Sequence, residues 1–246
     1  MSKKSFPWKN EPSEIQLVAV RRAYPKIAFA LYHAMGAGKT FSGINLAAAR
    51  FLNDKIKHHI IIVNPGAVKD VWDVELEKHC PVPYDYFIFN AGDGAKLARW
   101  KKDDDKLHHV VFGVEAFSQG NAIKALEAYI TAHKHEGIMM TIDESTSIKT
   151  PTSTRSKKIT KQGHRCDFRL ILTGTPITQG YQDLWSQFNF LDPDIIGCKS
   201  YVLFRNKYCI MGGFENRSII GYQWNEDLME RIEPYCEIIY KEEEME

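Results

Sequence analysis

No apolar run in this 246-residue chain approaches the roughly 20 residues that cross a bilayer, and the lysines of MSKKSFPWKN are followed by no apolar signal core. No membrane partner is therefore expected, and the chain reads as soluble. Cysteine is sparse: Cys80, Cys166, Cys198, Cys209 and Cys236 lie far apart, with no C-x-x-C pair. An odd, scattered set excludes a disulfide frame and fits reduced, buried thiols in an intracellular protein. Charge of one sign is missing as well. With 32 Lys and Arg against 31 Asp and Glu, the formal net charge is +1, so any site for a polyanion has to be a local patch. Internal repeats and low-complexity tracts are absent, and the charge runs KDDDK (102–106) and KEEEME (241–246) read as solvated tips. The histidines His58-His59, His108-His109 and His133-Lys134-His135 lack partners at zinc-site spacing and read as half-exposed bystanders.

What is present is alternation. IAFALY (27–32), HIIIVN (59–64), YDYFIFN (84–90), HVVFGV (109–114), IMMTID (138–143) and FRLILTG (168–174) are near-continuous apolar segments, the mark of strands covered on both faces. FSGINLAAARFLND, AVKDVWDVELEKH, AKLARWKK, NAIKALEAYITAHK and TSTRSKKITKQ lie between them with helical spacing or composition. This order predicts an α/β fold: a mainly parallel sheet covered by helices on both faces, with right-handed crossovers. Ligands in such sheets sit at the carboxyl ends of strands, so chemistry is expected after IAFALY, IMMTID and FRLILTG. Residues 1–200 are expected to form the main body and 201–246 a C-terminal extension. The extension reads as a small irregular excursion or hairpin around Gly212-Gly213, a short helix near NEDLMERI, and a last segment, EIIYKEEEME, that closes no further strand–helix unit.

After the first apolar segment comes HAMGAGKT (33–40). Gly36 and Gly38 allow a tight turn whose N–H groups converge on phosphate oxygens, and the helix that follows adds its partial positive charge. Lys39 is placed to reach the β- and γ-phosphates of ATP, and Thr40 to offer its hydroxyl to Mg²⁺. Met35, Gly36, Ala37, Gly38, Lys39 and Thr40 are thus the candidate nucleotide-binding residues. The plain alternative is a strand–turn–helix corner with a surface lysine. A chance G-x-G-K-[ST] occurs in on the order of one chain in a hundred of this length, and the flanking strand and helix lower the odds of accident. One residue is irregular, because His33 stands where a phosphate loop usually has its first glycine.

IMMTIDES ends a hydrophobic strand on two acids, which is costly unless a cation meets them. Asp143 is expected to hold Mg²⁺, and Glu144 to orient and deprotonate an attacking water. Alone, the pair reads equally as the start of an ordinary helix; downstream of a phosphate loop it reads as catalytic, with Lys39. LTGTPI (172–177) ends another buried strand, where Thr173, Gly174 and Thr175 are placed to sense the γ-phosphate or the Asp-Glu segment. By itself that motif is a plain Gly-Thr-Pro turn.

Taken in order, HAMGAGKT, IIIVNPGAVKDVW, TIDESTSIKT and LTGTPITQGYQDLWSQFNFLDP resemble the core of superfamily-two helicases of the Swi/Snf-like type, phage and bacterial members above all. The resemblance implies that 1–200 is the first RecA-like, ATP-binding lobe of a P-loop ATPase. It implies a DNA-dependent, helicase-like enzyme that hydrolyses ATP while tracking along duplex DNA without reading its sequence, in the cytoplasm of a bacterial or phage-infected cell. EIQLVAV (14–20) resembles the upstream glutamine motif, which assigns Gln16 to the adenine edge. NPGAVKDVW resembles the segment that grips a DNA strand, which assigns Asn64, Pro65 and Trp72; Trp72 can also simply pack its helix on the sheet. Lys149 matches by spacing. Between Lys149 and Arg169 seven Lys and Arg face one acid, Asp167, and Lys157 and Lys158 are candidates for DNA phosphates or for a merely solvated face. A second RecA-like lobe, in cis or in trans, is expected to supply the arginines this chain lacks. A nucleotide- or DNA-binding module with little turnover, acting as another protein's partner, is the alternative.

Overall fold

The computed structural model describes residues 6–64, 68–100, 103–118 and 120–239. The six apolar segments form strands β1 (Ala28–His33), β2 (His58–Val63), β3 (Tyr84–Phe89), β4 (Leu107–Gly113), β5 (Ile138–Asp143) and β6 (Phe168–Thr173). They pair in parallel in the order β3-β4-β2-β5-β6-β1. Parallel pairing requires crossovers, and helices supply them. α1 (Glu14–Ala23), α2 (Lys39–Phe51) and α3 (Val68–His79) cover one face. The other is covered by α4 (Gly94–Arg99), α5 (Asn121–His133), α6 (Thr154–Gly163), α7 (Gln182–Leu191), α8 (Pro193–Ile196), α9 (Tyr201–Tyr208) and α10 (Asn225–Ile232). Burial on both sides explains the continuous hydrophobicity of the strands: Ile60 and Ile62 enter one core, Ile61 and Val63 the other, and all four are fully buried. The expected α/β architecture is therefore the observed one.

The C-terminal region departs from expectation. The hairpin is present, as β7 (Cys209–Gly212) and β8 (Ser218–Tyr222), and so is the helix α10. The chain then returns to the main sheet, where β9 (Cys236–Ile239) pairs in parallel with β1 as the seventh strand. EII thus closes a unit that the sequence reading left open. β9 is four residues long and half-buried toward its end, so its apolar pattern is weak. Its partner is distant in the chain, and no local signal announces the pairing.

The histidines also differ from expectation. His58, His59, His108 and His109 are buried, side by side at the amino ends of β2 and β4. His59 bonds to Thr141 Oγ1 at 2.7 Å and to His109 Nδ1 at 3.0 Å, which satisfies both nitrogens of that ring inside an apolar core. All five cysteines are free and buried. Among the described residues no helix is long and apolar enough to cross a membrane.

Candidate nucleotide site

β5, β6 and β1 are neighbours, and the register aligns their carboxyl ends. Asp143 lies beside Leu172, Leu172 beside Leu31, and Thr173 beside Tyr32. The three segments expected to carry chemistry therefore emerge together at one edge of the sheet.

The first is the glycine loop. Gly36 and Gly38 have φ of +87° and +80°, conformations that cost most side chains energy and cost glycine nothing. Gly38 caps α2 in the left-handed region, so the loop leads directly into the helix amino end, which favours anions. His33 is the last residue of β1 and fully buried, outside the positive-φ part of the loop. Glycine is not needed there. Its imidazole packs under the loop, Nε2 3.4 Å from Glu237 Oε2 of β9, and Ala34 donates its N–H to the Ile239 carbonyl at 2.9 Å. β9 thus braces the base of the glycine loop.

Lys39 is half-buried and donates to the carbonyl of His33 at 2.7 Å and of Ala34 at 3.3 Å. Burial lowers the pKa of its ammonium, while Glu144 and Asp143 oppose that shift. Thr40, also half-buried, follows in the first turn of α2. Gln16 lies against the loop from the other side. Its Oε1 accepts from the Ser13 N–H at 2.9 Å in the capping box of α1, and a Cβ at Gly38 would stand 2.1 Å from its Nε2. Met35 is 84% exposed at the rim.

Asp143 is nearly buried. Burial raises its pKa, opposed by a hydrogen bond from Trp72, and Glu144 raises it further while Lys39 lowers it. Trp72 Nε1 donates to Asp143 Oδ2 at 2.8 Å, and the indole is fully buried between α3 and the sheet. Trp72 is consequently not available to grip or wedge a DNA strand: its ring belongs to the core and its N–H to the acid. Trp72→Phe keeps the packing but removes the donor. Leaving a buried carboxylate without it is expected to cost about 1–3 kcal/mol, read as a lower urea midpoint; an unchanged midpoint would show that the bond carries nothing.

Glu144 has φ +57°, rare for a residue with a side chain. Its N–H donates to the Leu172 carbonyl at 2.8 Å, and its Oε2 accepts from Thr173 Oγ1 at 3.0 Å. Thr173 Oγ1 in turn accepts from the Thr175 N–H at 3.2 Å. Gly174 fits because it has no side chain; a Cβ there would lie 3.3 Å from the His33 carbonyl and 3.6 Å from Lys39 Nζ. One linking residue was missed by the sequence reading. Gln187 on α7, fully buried, accepts from Ser145 Oγ at 2.7 Å and donates to the Pro176 carbonyl at 2.7 Å. Its only sequence signal is an apolar helix containing a glutamine.

A cleft of about 580 Å³ opens over this edge, lined by Lys39, Glu144, Gly174 and Thr175 together with Met229 and Ile232. The residues present fit magnesium nucleotide. A hydroxyl and a buried carboxylate are hard oxygen donors, the glycine nest suits phosphate, and the Asp143 charge disfavoured by burial calls for a cation.

The other DNA candidates are Asn64, Pro65, Lys149, Lys157 and Lys158. Asn64 follows β2 and is half-buried, while Pro65 lies outside the described residues. Lys149 is half-buried, with its Nζ donating to Thr178 Oγ1 at 2.6 Å. Lys157 and Lys158 lie on α6, exposed and half-buried, and neither meets an acid among the described residues. The basic segment is weaker than its composition implies. Arg155, Arg165 and Arg169 direct their guanidinium groups to the carbonyl of Ser147, the Gln162 side chain and the carbonyl of Cys166.

The chain matches the SNF2-related domain over residues 18–232. It is 29% identical over 172 residues to the Chromatin-remodeling ATPase INO80 of Eremothecium gossypii, covering 65% of this chain and 11% of that protein. Identity is 31% over 163 residues with the Probable ATP-dependent DNA helicase CHR12 of Arabidopsis thaliana, covering 65% and 14%. The chain thus spans only about a tenth of the length of these relatives. They are a fungal and a plant protein, which lends no support to the phage or bacterial type expected from the motifs. Among solved structures, the Sulfolobus solfataricus SWI2/SNF2 ATPase core in complex with dsDNA superposes with a TM-score of 0.73 at 20% identity, covering all of this chain and 47% of that one. The fold is that of one RecA-like lobe of such a core.

Proposed function

Because this chain belongs to the SNF2-related domain family, we propose that it is the ATP-binding lobe of a DNA-dependent, helicase-like ATPase that hydrolyses ATP to ADP and phosphate when a second RecA-like lobe completes it. The observation that carries the reading is the convergence of Lys39, Asp143, Glu144 and Thr173 at the carboxyl ends of three adjacent strands. Lys39 releases its loop carbonyls and neutralises the β- and γ-phosphate oxygens, which the nest around Gly36 and Gly38 orients. Thr40 and Asp143 would hold Mg²⁺, which would withdraw charge from the phosphate oxygens when bound. Trp72 fixes the Asp143 carboxylate, and Gln16 borders the loop where a base would lie. Glu144 presents the carboxylate that takes the water's proton. Its Oε2 is engaged by Thr173, which leaves Oε1 for that proton. Gly174 and Thr175 relay the state of the site toward α7.

That this chain covers 47% of the archaeal ATPase core supports its being one half of such an enzyme. An arginine reaching in from the other half is worth roughly 10³–10⁵ in turnover in P-loop enzymes. The chain alone is therefore expected to bind ATP and hydrolyse it slowly. Phosphate release, measured with and without duplex DNA and with and without a second lobe, tests this. Vigorous duplex-stimulated turnover by the chain alone would remove the second lobe from the account, and ATP uptake without turnover in every combination would make the chain a binding module.

The DNA surface we place at Asn64, Lys149, Lys157 and Lys158. A protein neutralising Z phosphates loses affinity with salt at a slope of about 0.9Z. Lys157→Glu with Lys158→Glu is expected to weaken duplex binding by about tenfold or more near 0.1 M salt and to flatten that slope by up to about 1.8. Titrations at several salt concentrations read both quantities, and no change in either would leave α6 a solvated helix.

A further inference from the structure

The nucleotide cluster occupies the carboxyl edge of the sheet; a second polar cluster lies at the amino edge and takes no part in it. His58, fully buried at the start of β2, stacks on His133 at the end of α5, with ring centroids 4.2 Å apart and planes 29° from parallel. The turn after α5 brings Glu136 to both rings: His58 Nε2 is 3.1 Å from Oε2, and His133 Nδ1 is 2.9 Å from Oε1. One donor atom from each of the three lies within 4.8 Å of the others. Backbone contacts hold this turn. Lys57 donates its N–H to the carbonyls of Glu136 and Gly137, each at 3.0 Å. Gly137 has φ +79°, and a Cβ there would come within 2.2 Å of the Lys55 carbonyl oxygen.

We propose that His58, His133 and Glu136 form a binding site for a divalent transition-metal ion of the zinc class, with solvent water as the fourth ligand, stapling α5 to the amino end of β2. Two imidazoles and a carboxylate are a donor set that zinc takes in three-residue sites. Bonds of about 2.0–2.2 Å in a tetrahedron set donors about 3.3 Å apart, close to the 3.1 Å between His58 Nε2 and Glu136 Oε2, while His133 Nδ1 meets the other oxygen, Oε1. The remaining contraction falls on His133 and Glu136, whose side chains are 17% and 40% exposed. The same exposure admits the ion and its water.

The surroundings of His58 resemble those of a metal-bound imidazole. Its second nitrogen, Nδ1, lies 2.8 Å from the hydroxyl of buried Tyr129. When Nε2 takes the ion, the ring proton resides on Nδ1 and donates to that oxygen, fixing tautomer and orientation. No proton need be released. Protonation states favour the same outcome. Burial pushes the His58 imidazole down to about 3, assisted by the nearby His133 and His108 and opposed by Glu136. Burial works against ionisation of Glu136, yet hydrogen bonds from His133 and His58 outweigh it and hold the carboxyl down to about 2. Near neutral pH His58 is therefore a neutral ring and Glu136 a charged carboxylate, the forms that bind metal.

Calorimetric titration of the untagged chain with zinc chloride, paired with thermal unfolding, tests the site. One equivalent should bind with micromolar or tighter affinity, and at a hundredfold excess over Kd the melting midpoint should rise by about 5–10 °C. His133→Ala and Glu136→Gln, on the solvent side, should each weaken uptake at least tenfold and abolish the thermal shift while leaving ATP affinity unchanged. Glu136→Gln preserves shape, so its loss of zinc cannot be ascribed to unfolding. A wild-type chain that takes up no zinc, or variants that bind it as tightly as wild type, would reduce the cluster to a hydrogen-bonded His–Glu–His corner and overturn the proposal.

Discussion

Glu144→Gln is expected to lower ATP turnover by about 10²–10⁴-fold, the usual worth of a positioned general base, while ATP affinity stays within about twofold. The two halves of this result have separate structural causes. The backbone at residue 144 is held in the left-handed region by the hydrogen bond to Leu172 and the side chain by Thr173. Glutamine is isosteric and its carbonyl oxygen can still accept from Thr173, so the geometry survives. What disappears is a group able to take a proton. Phosphate release and nucleotide titration, run side by side on the lobe-completed enzyme, separate the two effects. Undiminished turnover would mean that the proton goes elsewhere, and a large loss of ATP affinity would mean that residue 144 shapes the pocket rather than the reaction.

Lys39→Ala is expected to weaken ATP binding by about 10²–10³-fold, the scale of losing two charge-assisted hydrogen bonds in a partly desolvated site. The present position of Lys39 supports the size of this effect. Its ammonium is half-buried and held by carbonyls at the base of the loop, with Asp143 and Glu144 close enough to shift its pKa. Without it, three phosphates would approach two carboxylates with only the loop N–H groups and the helix end to offset the repulsion. Equilibrium binding of a fluorescent ATP analogue reads the change directly. Retention of full affinity would detach the loop from the nucleotide.

Much of this arrangement was readable in the chain because its strands are buried on both faces. Ile60–Val63 and Met139–Ile142 carry a signal that needs no partner to be recognised. Gly36, Gly38 and Lys39 are equally local, since a phosphate nest is made by consecutive residues. What stayed hidden is non-local. Trp72 meets an acid 71 positions away, and its helix shows only that it is amphipathic, not which polar atom waits beneath it. Gln187 bridges to Ser145 across 42 positions. The short β9 gains its place from β1 rather than from its own pattern. His58 and His133 looked isolated because a sheet and a helix end bring them together. His33, irregular in the motif, becomes intelligible once β9 supplies Glu237 beneath it.

In the function we propose, one triphosphate with its divalent ion is gripped jointly by residues following β1 and β5. A crystal structure with a non-hydrolysable ATP analogue and Mg²⁺ measures this most directly. The phosphates should lie over Gly36–Thr40, with Lys39 Nζ moved off the His33 carbonyl and the ion between Thr40 and Asp143. An analogue seated elsewhere, with Lys39 still bonded to its own loop, would contradict the account.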